Sequence, residues 1–241
     1  MPIAENLRSV QRLGFLNVEF NMKSVEENDD DSVYTVKELI ETCGLRCLTL
    51  HAASLHMSST AELQKACYYV KVSAEFAKTL GVPLMVVHSN VSRKIPEKIR
   101  RQLLKEFFSF LKPYAKKLGI KLALENLSYA SSGYGKNVAE LEEIFGLINH
   151  DDSIGFTLDF CHAEATGQTF PLLEKYKNRL CNVHLSNRAH KPFLQEDPHL
   201  IAFLKRLQEF NYHGSLTLEL NRKCSFEEVL ATKNIVEKLL L

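Results

Sequence analysis

The chain has 241 residues, enough for one large hydrophobic core, and we predict a single domain over residues 1–241. Its 30 lysine and arginine residues against 29 acidic residues give a net charge of +1, which disfavours nucleic acid or an anionic membrane as a partner. Since no signal-peptide pattern opens the sequence and no apolar run approaches the roughly 20 residues of a membrane span, we expect a cytoplasmic protein.

Short apolar runs alternate with longer amphipathic stretches along the chain. In order, the runs are FLNVEF, LRCLTLH, PLMVVH, IKLALE, IGFTLD, LCNVH and SLTLEL. They show little polar alternation, which is typical of parallel strands covered on both faces. Gly44, Gly81 and Gly119 each stand before the next run, where a residue that tolerates positive φ ends a helix. These repeated βα units predict an α/β fold, either a doubly wound sheet or a barrel.

A carboxylate or an imidazole stands at or beside the end of every run. These residues are Glu19, His51, His88, Glu125, Asp159, His184 and Glu219. In a parallel barrel the C-terminal strand ends meet at one face, where active sites form. Converging carboxylates and histidines repel one another or lose solvation unless a cation neutralises them. The pattern therefore predicts a divalent metal site, for which Glu19 is the weakest candidate because it could equally cap the rim or pair with a basic residue.

Five segments carry a resemblance to a known family: LHAASLHMSS, MVVHS, LALENLSYASSGYG, IGFTLDFCHAEATG and NVHLSN. Over nearly the whole chain the sequence resembles the xylose isomerase-like TIM barrels, which include sugar and sugar phosphate isomerases and epimerases and endonuclease IV. The resemblance implies a TIM (β/α)8-type barrel with its metal on four strand-end residues, namely Glu125, Asp159, His184 and Glu219. His51, His88 and His162 match histidines of the endonuclease branch, so the first two could hold a second metal or contact the substrate.

The first strand of the family has no counterpart in the sequence. In the family's strand order FLNVEF corresponds to the second strand, which leaves seven recognisable βα strands. The barrel is then open, completed in another way, or preceded by a segment upstream of residue 1. Because an open barrel exposes strand edges, we expect a homodimer or the N-terminus to cover this edge.

The loop after NVHLSN also departs from the family. Relatives with a third metal read D-x-H-x-P-x-G-x-G there, whereas this chain has Arg188 in place of the aspartate and lacks both glycines. His190 and Pro192 are kept. An arginine disfavours a cation beside it, so the sequence does not favour a third metal on His162 and His190.

The preferred prediction is a divalent-metal-dependent isomerase or epimerase of a small sugar or sugar phosphate. One Zn²⁺ or Mn²⁺ ion would stabilise the ene-diolate that forms when a proton leaves carbon. Glu125 and Glu219 would remove and return that proton. His162 would contact the substrate or orient Asp159, two readings that stay open. No glycine-rich fingerprint follows a strand, so no nucleotide cofactor is expected.

Further substrate-binding residues are expected on the same face. Asn126 would orient Glu125 or a substrate hydroxyl group. Basic residues follow the last two runs in positions where such barrels often bind phosphate, and they suggest a phosphorylated small molecule. Together with His190, these residues are Arg188, Lys191, Arg222 and Lys223.

Two other functions remain open at this point. An AP endonuclease with a reduced metal set would cleave phosphodiesters at abasic sites, a chemistry that uses several cations. It also needs basic DNA-binding segments, and the short loops after the strands place it second. The third reading is a metal-binding barrel that has lost catalysis, which the missing strand and the altered loop both allow.

Overall fold

The apolar runs form seven parallel strands. In this computed structural model, which describes residues 3–22 and 33–241, each strand pairs with the next one along the chain, so the order in the sheet is the order in the sequence. Sequential βα units produce this order. The strands are β1 (Asn17–Asn21), β2 (Arg46–His51), β3 (Leu84–Val87), β4 (Lys121–Glu125), β5 (Ile154–Asp159), β6 (Leu180–Leu185) and β7 (Ser215–Leu218). The predicted α/β barrel of the TIM type is therefore confirmed.

Helices surround the strands, and the predicted glycines stand at the ends of three of them. They are α1 (Ile3–Arg12), α2 (Val33–Thr42), α3 (Thr60–Leu80), α4 (Glu97–Leu118), α5 (Val138–Leu147), α6 (Phe160–Glu164), α7 (Thr169–Tyr176), α8 (Pro198–Glu209) and α9 (Phe226–Leu240), with 3-10 turns at Lys177–Arg179 and Arg188–His190. Gly81 and Gly119 end α3 and α4, each with a φ of 74°. Among the described residues, no helix is both long and apolar enough to cross a membrane.

The hydrophobic core lies between the strands and the helices. Every residue of β3 and β5 is buried, because helices cover one face of the sheet and the barrel interior covers the other. Phe156 of β5 packs against Tyr176 of α7, with ring centroids 4.8 Å apart, and Phe108 and Phe203 are fully buried on α4 and α8. Burying such a ring contributes about 1.5–3 kcal/mol, so apolar packing fixes the strands and with them the strand ends.

The barrel is open between its first and last strands. Within the described part of the chain, no backbone ladder joins β1 to β7, and β7 is only half-buried along its length. A cavity of about 620 Å³ lies at this seam, between the two edge strands and side chains of the flanking helices such as Val10 and Val229. The structure thus has the open, seven-stranded arrangement that the sequence offered as one answer to the absent strand.

Candidate metal centre

Parallel strands have their C-terminal ends at the same rim of a barrel, so the predicted strand-end residues meet there. In chain order they are Glu19 and His51 in β1 and β2, His88 just after β3, Glu125 and Asp159 at the ends of β4 and β5, His184 in β6 and Glu219 just after β7. Alternate residues of a strand share a face. Thr49 and Asn182 therefore lie on the inner face together with His51 and His184.

Four of these residues form a central group. Glu125, Asp159, His184 and Glu219 can each offer one ligand atom, and these atoms lie within 4.8 Å of one another. The atoms Glu125 Oε1, Asp159 Oδ2, His184 Nδ1 and Glu219 Oε2 are all buried and have no hydrogen-bond partner. A buried polar atom without a partner costs about 1–3 kcal/mol. Four such atoms that converge from three carboxylates and one imidazole fit a divalent cation.

The charges of the central group show the same need for a cation. Burial, reinforced by Glu219 and Glu125, raises the pKa of Asp159 well above its ordinary value. Burial would lower the pKa of His184, but the surrounding carboxylates of Glu19, Glu125 and Glu219 raise it well above its ordinary value. Without a metal, protons on Asp159 and His184 therefore neutralise part of the negative charge that a cation would neutralise.

A second group shares Glu125 with the first. His51 Nε2 and His88 Nε2 lie 3.1 and 2.9 Å from the same Glu125 Oε2 atom. His51 Nδ1 lies 3.2 Å from the carbonyl oxygen of Ala52, which can only accept a hydrogen bond, so Nδ1 carries a proton. Burial would lower the pKa of His51, but the Glu125 carboxylate raises it above its ordinary value, so without a metal Nε2 also carries a proton, which must leave before Nε2 binds a cation. His51, His88 and Glu125 could together hold a second cation, as the sequence suggested.

A third group contains the two histidines that the sequence did not favour as ligands. The Nε2 atoms of His162 and His190 are 3.2 Å apart, and each Nδ1 donates to a backbone carbonyl oxygen. Burial lowers the pKa of His162, which favours the neutral ring. Facing lone pairs require a proton or a cation between them. With Asp159 these rings could hold a third cation, while Arg188, the residue that argued against it, is exposed.

Asp159 is held in place by its neighbours. Its Oδ1 atom accepts a hydrogen bond of 2.7 Å from the backbone N–H of His162 at the start of α6, which leaves Oδ2 for the central group. The amide of Asn126 pairs with the backbone of Asp159: Nδ2 donates to its carbonyl oxygen at 3.1 Å and Oδ1 accepts from its N–H at 2.8 Å. The buried Asn126 therefore orients Asp159, where the sequence suggested Glu125 or a substrate hydroxyl group.

Glu19 is the strand-end residue that the sequence ranked lowest. Its carboxylate lies 3.1 Å from Nε2 of His184 and accepts hydrogen bonds from Thr49 Oγ1 at 2.6 Å and Asn182 Nδ2 at 3.3 Å. Burial would raise the pKa of Glu19, but His184 lowers it below its ordinary value. Thr49 and Asn182 were missed in the sequence. The signal was present, since each precedes a strand-end histidine by two residues, the spacing of one strand face.

The predicted basic residues lie in the two loops after β6 and β7. All four are exposed, namely Arg188, Lys191, Arg222 and Lys223. The two loops are joined because the backbone N–H of Asn221 donates to the carbonyl oxygen of His190 at 2.7 Å. Arg93, which follows β3, is instead paired with Glu140 at 2.6 Å. Lys94, next to Arg93, is also exposed, so four of the exposed bases at the rim stand where β6 and β7 end.

Comparisons with known proteins agree with this architecture. A family model described as xylose isomerase-like TIM barrel matches residues 7–239. The solved structure of D-allulose 3-epimerase from Methylomonas sp. gives a TM-score of 0.81 at 17% sequence identity and covers 99% of this chain and 92% of that chain. AP endonuclease, family 2, from Brucella melitensis gives 0.75 at 18% identity, with 94% and 90% covered.

The IOLI protein with a bound zinc atom gives a TM-score of 0.80 at 21% identity, with 100% of this chain and 93% of that chain covered. A comparison of the sequence with curated proteins finds no match. At such identities the structural likeness shows the fold, and one fold of this kind hosts several chemistries. The choice of a reaction therefore depends on the residues at the rim.

Proposed function

We propose that this chain, which belongs to the xylose isomerase-like TIM-barrel family, is a divalent-metal-dependent isomerase or epimerase of a small sugar or sugar phosphate. The central group of four buried, unpaired ligand atoms carries the proposal. The fold shared with a D-allulose 3-epimerase supports it. Glu125, Asp159, His184 and Glu219 would hold the ion, and this mixed carboxylate and imidazole set suits Zn²⁺ or Mn²⁺.

A bound cation would stabilise negative charge that develops on a substrate oxygen next to the reacting carbon. The proton on that carbon must then be moved by the protein. Glu219 is the accessible carboxylate of the central group, with a side chain 28% exposed against 1% for Glu125. Burial would raise the pKa of Glu219, but the adjacent His184 lowers it below its ordinary value. Glu219 is therefore ionised at neutral pH, which a group that removes a proton must be.

Glu125 is the proposed partner of Glu219 in returning the proton. Its Oε2 atom is occupied by His51 and His88, whereas Oε1 has no hydrogen-bond partner. Proton removal by one carboxylate and return by the other would invert a centre or move a carbonyl group. His162 stands at the rim with its Nδ1–H bonded to a backbone carbonyl. Its Nε2 atom lies 3.2 Å from Nε2 of His190 and would accept from a substrate hydroxyl group once the His190 ring moves away.

A phosphorylated substrate is the more specific part of the proposal. Exposed basic side chains stand in both loops that follow the last two strands, and barrels of this class often bind phosphate there. The residues are Arg188, Lys191, Arg222 and Lys223. A phosphate in this position would bind to the same loop that begins with Glu219, which directly follows β7.

The test begins with elemental analysis of the metal bound per chain in protein purified without chelators. Metal-loaded protein is then incubated in D₂O with a panel of ketoses and ketose phosphates, and NMR follows deuterium uptake at the carbon next to the carbonyl group. We expect uptake with the wild type and a loss of at least about 100-fold in Glu219→Gln. The matched variant Glu209→Gln, in an exposed ion pair on α8, should retain the wild-type rate. A protein without metal, or without exchange on any substrate, contradicts the proposal.

An AP endonuclease is the second candidate, and one observation favours it. The central group shares Glu125 with the second group and Asp159 with the third. The rim therefore offers the several adjacent cation positions that phosphodiester hydrolysis uses. Three bound metals and cleavage of duplex DNA at an abasic site would favour this candidate over the isomerase. Metal binding with neither activity would instead support the third reading, a metal-binding barrel without catalysis.

A further inference from the structure

We propose that Glu19 is a positioning residue of the metal centre and acts by holding the ring of His184 in the orientation and proton arrangement of a metal ligand. This inference rests on the metal dependence proposed above. Glu19 lies in β1 at the open seam, and its side chain is 7% exposed. It belongs to none of the ligand groups found in residues 3–22 and 33–241. A buried carboxylate that is not a ligand must be paired or hydrogen-bonded in another way.

The two nitrogen atoms of His184 face different partners. Nε2 lies 3.1 Å from both oxygen atoms of Glu19. Nδ1 lies 3.4 Å from Glu125 Oε1 and 3.2 Å from Glu219 Oε2, and it has no hydrogen-bond partner. Because an ionised carboxylate only accepts hydrogen bonds, the ring donates Nε2–H to Glu19 and presents Nδ1 to the central group. A carboxylate in this place fixes the tautomer of a ligating histidine and increases its basicity.

Glu19 is itself fixed by two hydrogen bonds, one of which crosses the seam. Its Oε2 atom accepts from Thr49 of β2 and from Asn182 of β6. Thr217 of β7 donates in turn to Asn182 Oδ1 at 3.3 Å. This series of side chains connects β7 to β2 where the described residues have no backbone ladder between β1 and β7. The orientation of His184 is therefore linked to the geometry of the open seam.

A purely structural ion pair would behave differently from a positioning residue. If Glu19 only stabilised the fold, its replacement would lower the free energy of unfolding and leave the metal affinity of the folded protein unchanged. If it positions His184, replacement must weaken metal binding in protein that is still folded. Removing such an outer carboxylate typically weakens metal binding about 10–100-fold. Metal affinity therefore separates the two roles without any measurement of catalysis.

The experiment compares Glu19→Gln with the wild type. Glutamine keeps the length of the side chain and one acceptor atom but removes the charge. Dissociation constants for Zn²⁺ and Mn²⁺ are measured by competition with a chromophoric chelator, and circular dichroism verifies folding. We expect binding about 10–100-fold weaker and no change in the matched control Glu209→Gln. Thr49→Val, which removes one donor to the Glu19 carboxylate, should weaken binding by a smaller factor in the same direction.

A second measurement reports the tautomer directly. Long-range ¹H–¹⁵N NMR of the metal-loaded wild type should show a proton on Nε2 of His184 and the metal on Nδ1. Equal metal affinity in wild type and Glu19→Gln, or the opposite tautomer, overturns this inference and leaves the proposed function intact. A wild type that binds no metal overturns both. If Glu19→Gln does not fold, the spectrum of the wild type and the affinity of Thr49→Val decide the question.

Discussion

Replacing Asn126 by alanine should destabilise the metal-free protein by about 2–6 kcal/mol. The amide of Asn126 satisfies both the N–H and the carbonyl group of Asp159 in a fully buried place. Each buried backbone group that loses its partner costs about 1–3 kcal/mol, and the two costs add because one substitution removes both bonds. Urea unfolding of metal-free protein, followed by circular dichroism, measures the loss as a lower midpoint at an unchanged slope.

Two further variants serve as controls for Asn126→Ala. Asn178→Ala removes an exposed asparagine from a 3-10 turn and should change the free energy of unfolding by less than about 0.5 kcal/mol. Asn126→Asp keeps the acceptor but directs a carboxylate oxygen at the carbonyl oxygen of Asp159, so at neutral pH it should be no more stable than Asn126→Ala. A loss below about 1 kcal/mol in Asn126→Ala would refute the reasoning, because the Asp159 backbone would then have other partners.

Metal affinity, measured by titration at several pH values, should rise with pH. Burial raises the pKa of Asp159, and the surrounding carboxylates raise the pKa of His184 against the effect of burial. Both protons must leave before these residues bind a cation. Chelation should lower the thermal midpoint, since metal at 100 times its dissociation constant adds about 2.7 kcal/mol; an unchanged midpoint contradicts binding to the folded state. The double variant Arg222→Glu, Lys223→Glu should raise KM for a phosphorylated ketose but not for an unphosphorylated one. An unchanged KM for the phosphorylated ketose would refute a phosphate site there. Sedimentation velocity should show a homodimer if two copies cover the open seam.

The strand-end residues could be predicted because their positions follow from one repeated unit. Each βα repeat ends its strand at the same rim, so spacing along the chain becomes proximity in space without knowledge of any loop. The spacing placed Glu125, Asp159, His184 and Glu219 at the rim together with three other residues, and the family resemblance then indicated these four as the metal ligands. The open barrel was one of three arrangements that the seven apolar runs allowed, and the described residues show this one.

The roles of Asn126 and Glu19 could not be predicted in the same way. Asn126 directly follows a strand, and only the course of the backbone beyond β4 decides whether its amide meets Glu125, a substrate or the backbone of Asp159. The role of Glu19 depends on the seam. Its contacts with His184 and Asn182 require β1 and β6 to approach each other inside an incomplete barrel. Both cases involve contacts between elements far apart in sequence, and residue type alone does not decide which of several partners is contacted.

The number of bound cations separates the candidate chemistries, and the shared carboxylates determine the order of binding. The central group contains three carboxylates, whereas the group with His162 and His190 has only Asp159, which it shares with the central group. A cation in the central group neutralises Asp159 and so reduces the attraction for a neighbouring ion. We therefore expect the central position to fill first and tightly, with the outer positions filling at higher metal concentration. An isomerase needs only the first ion, whereas phosphodiester hydrolysis would require the weaker ones to be occupied.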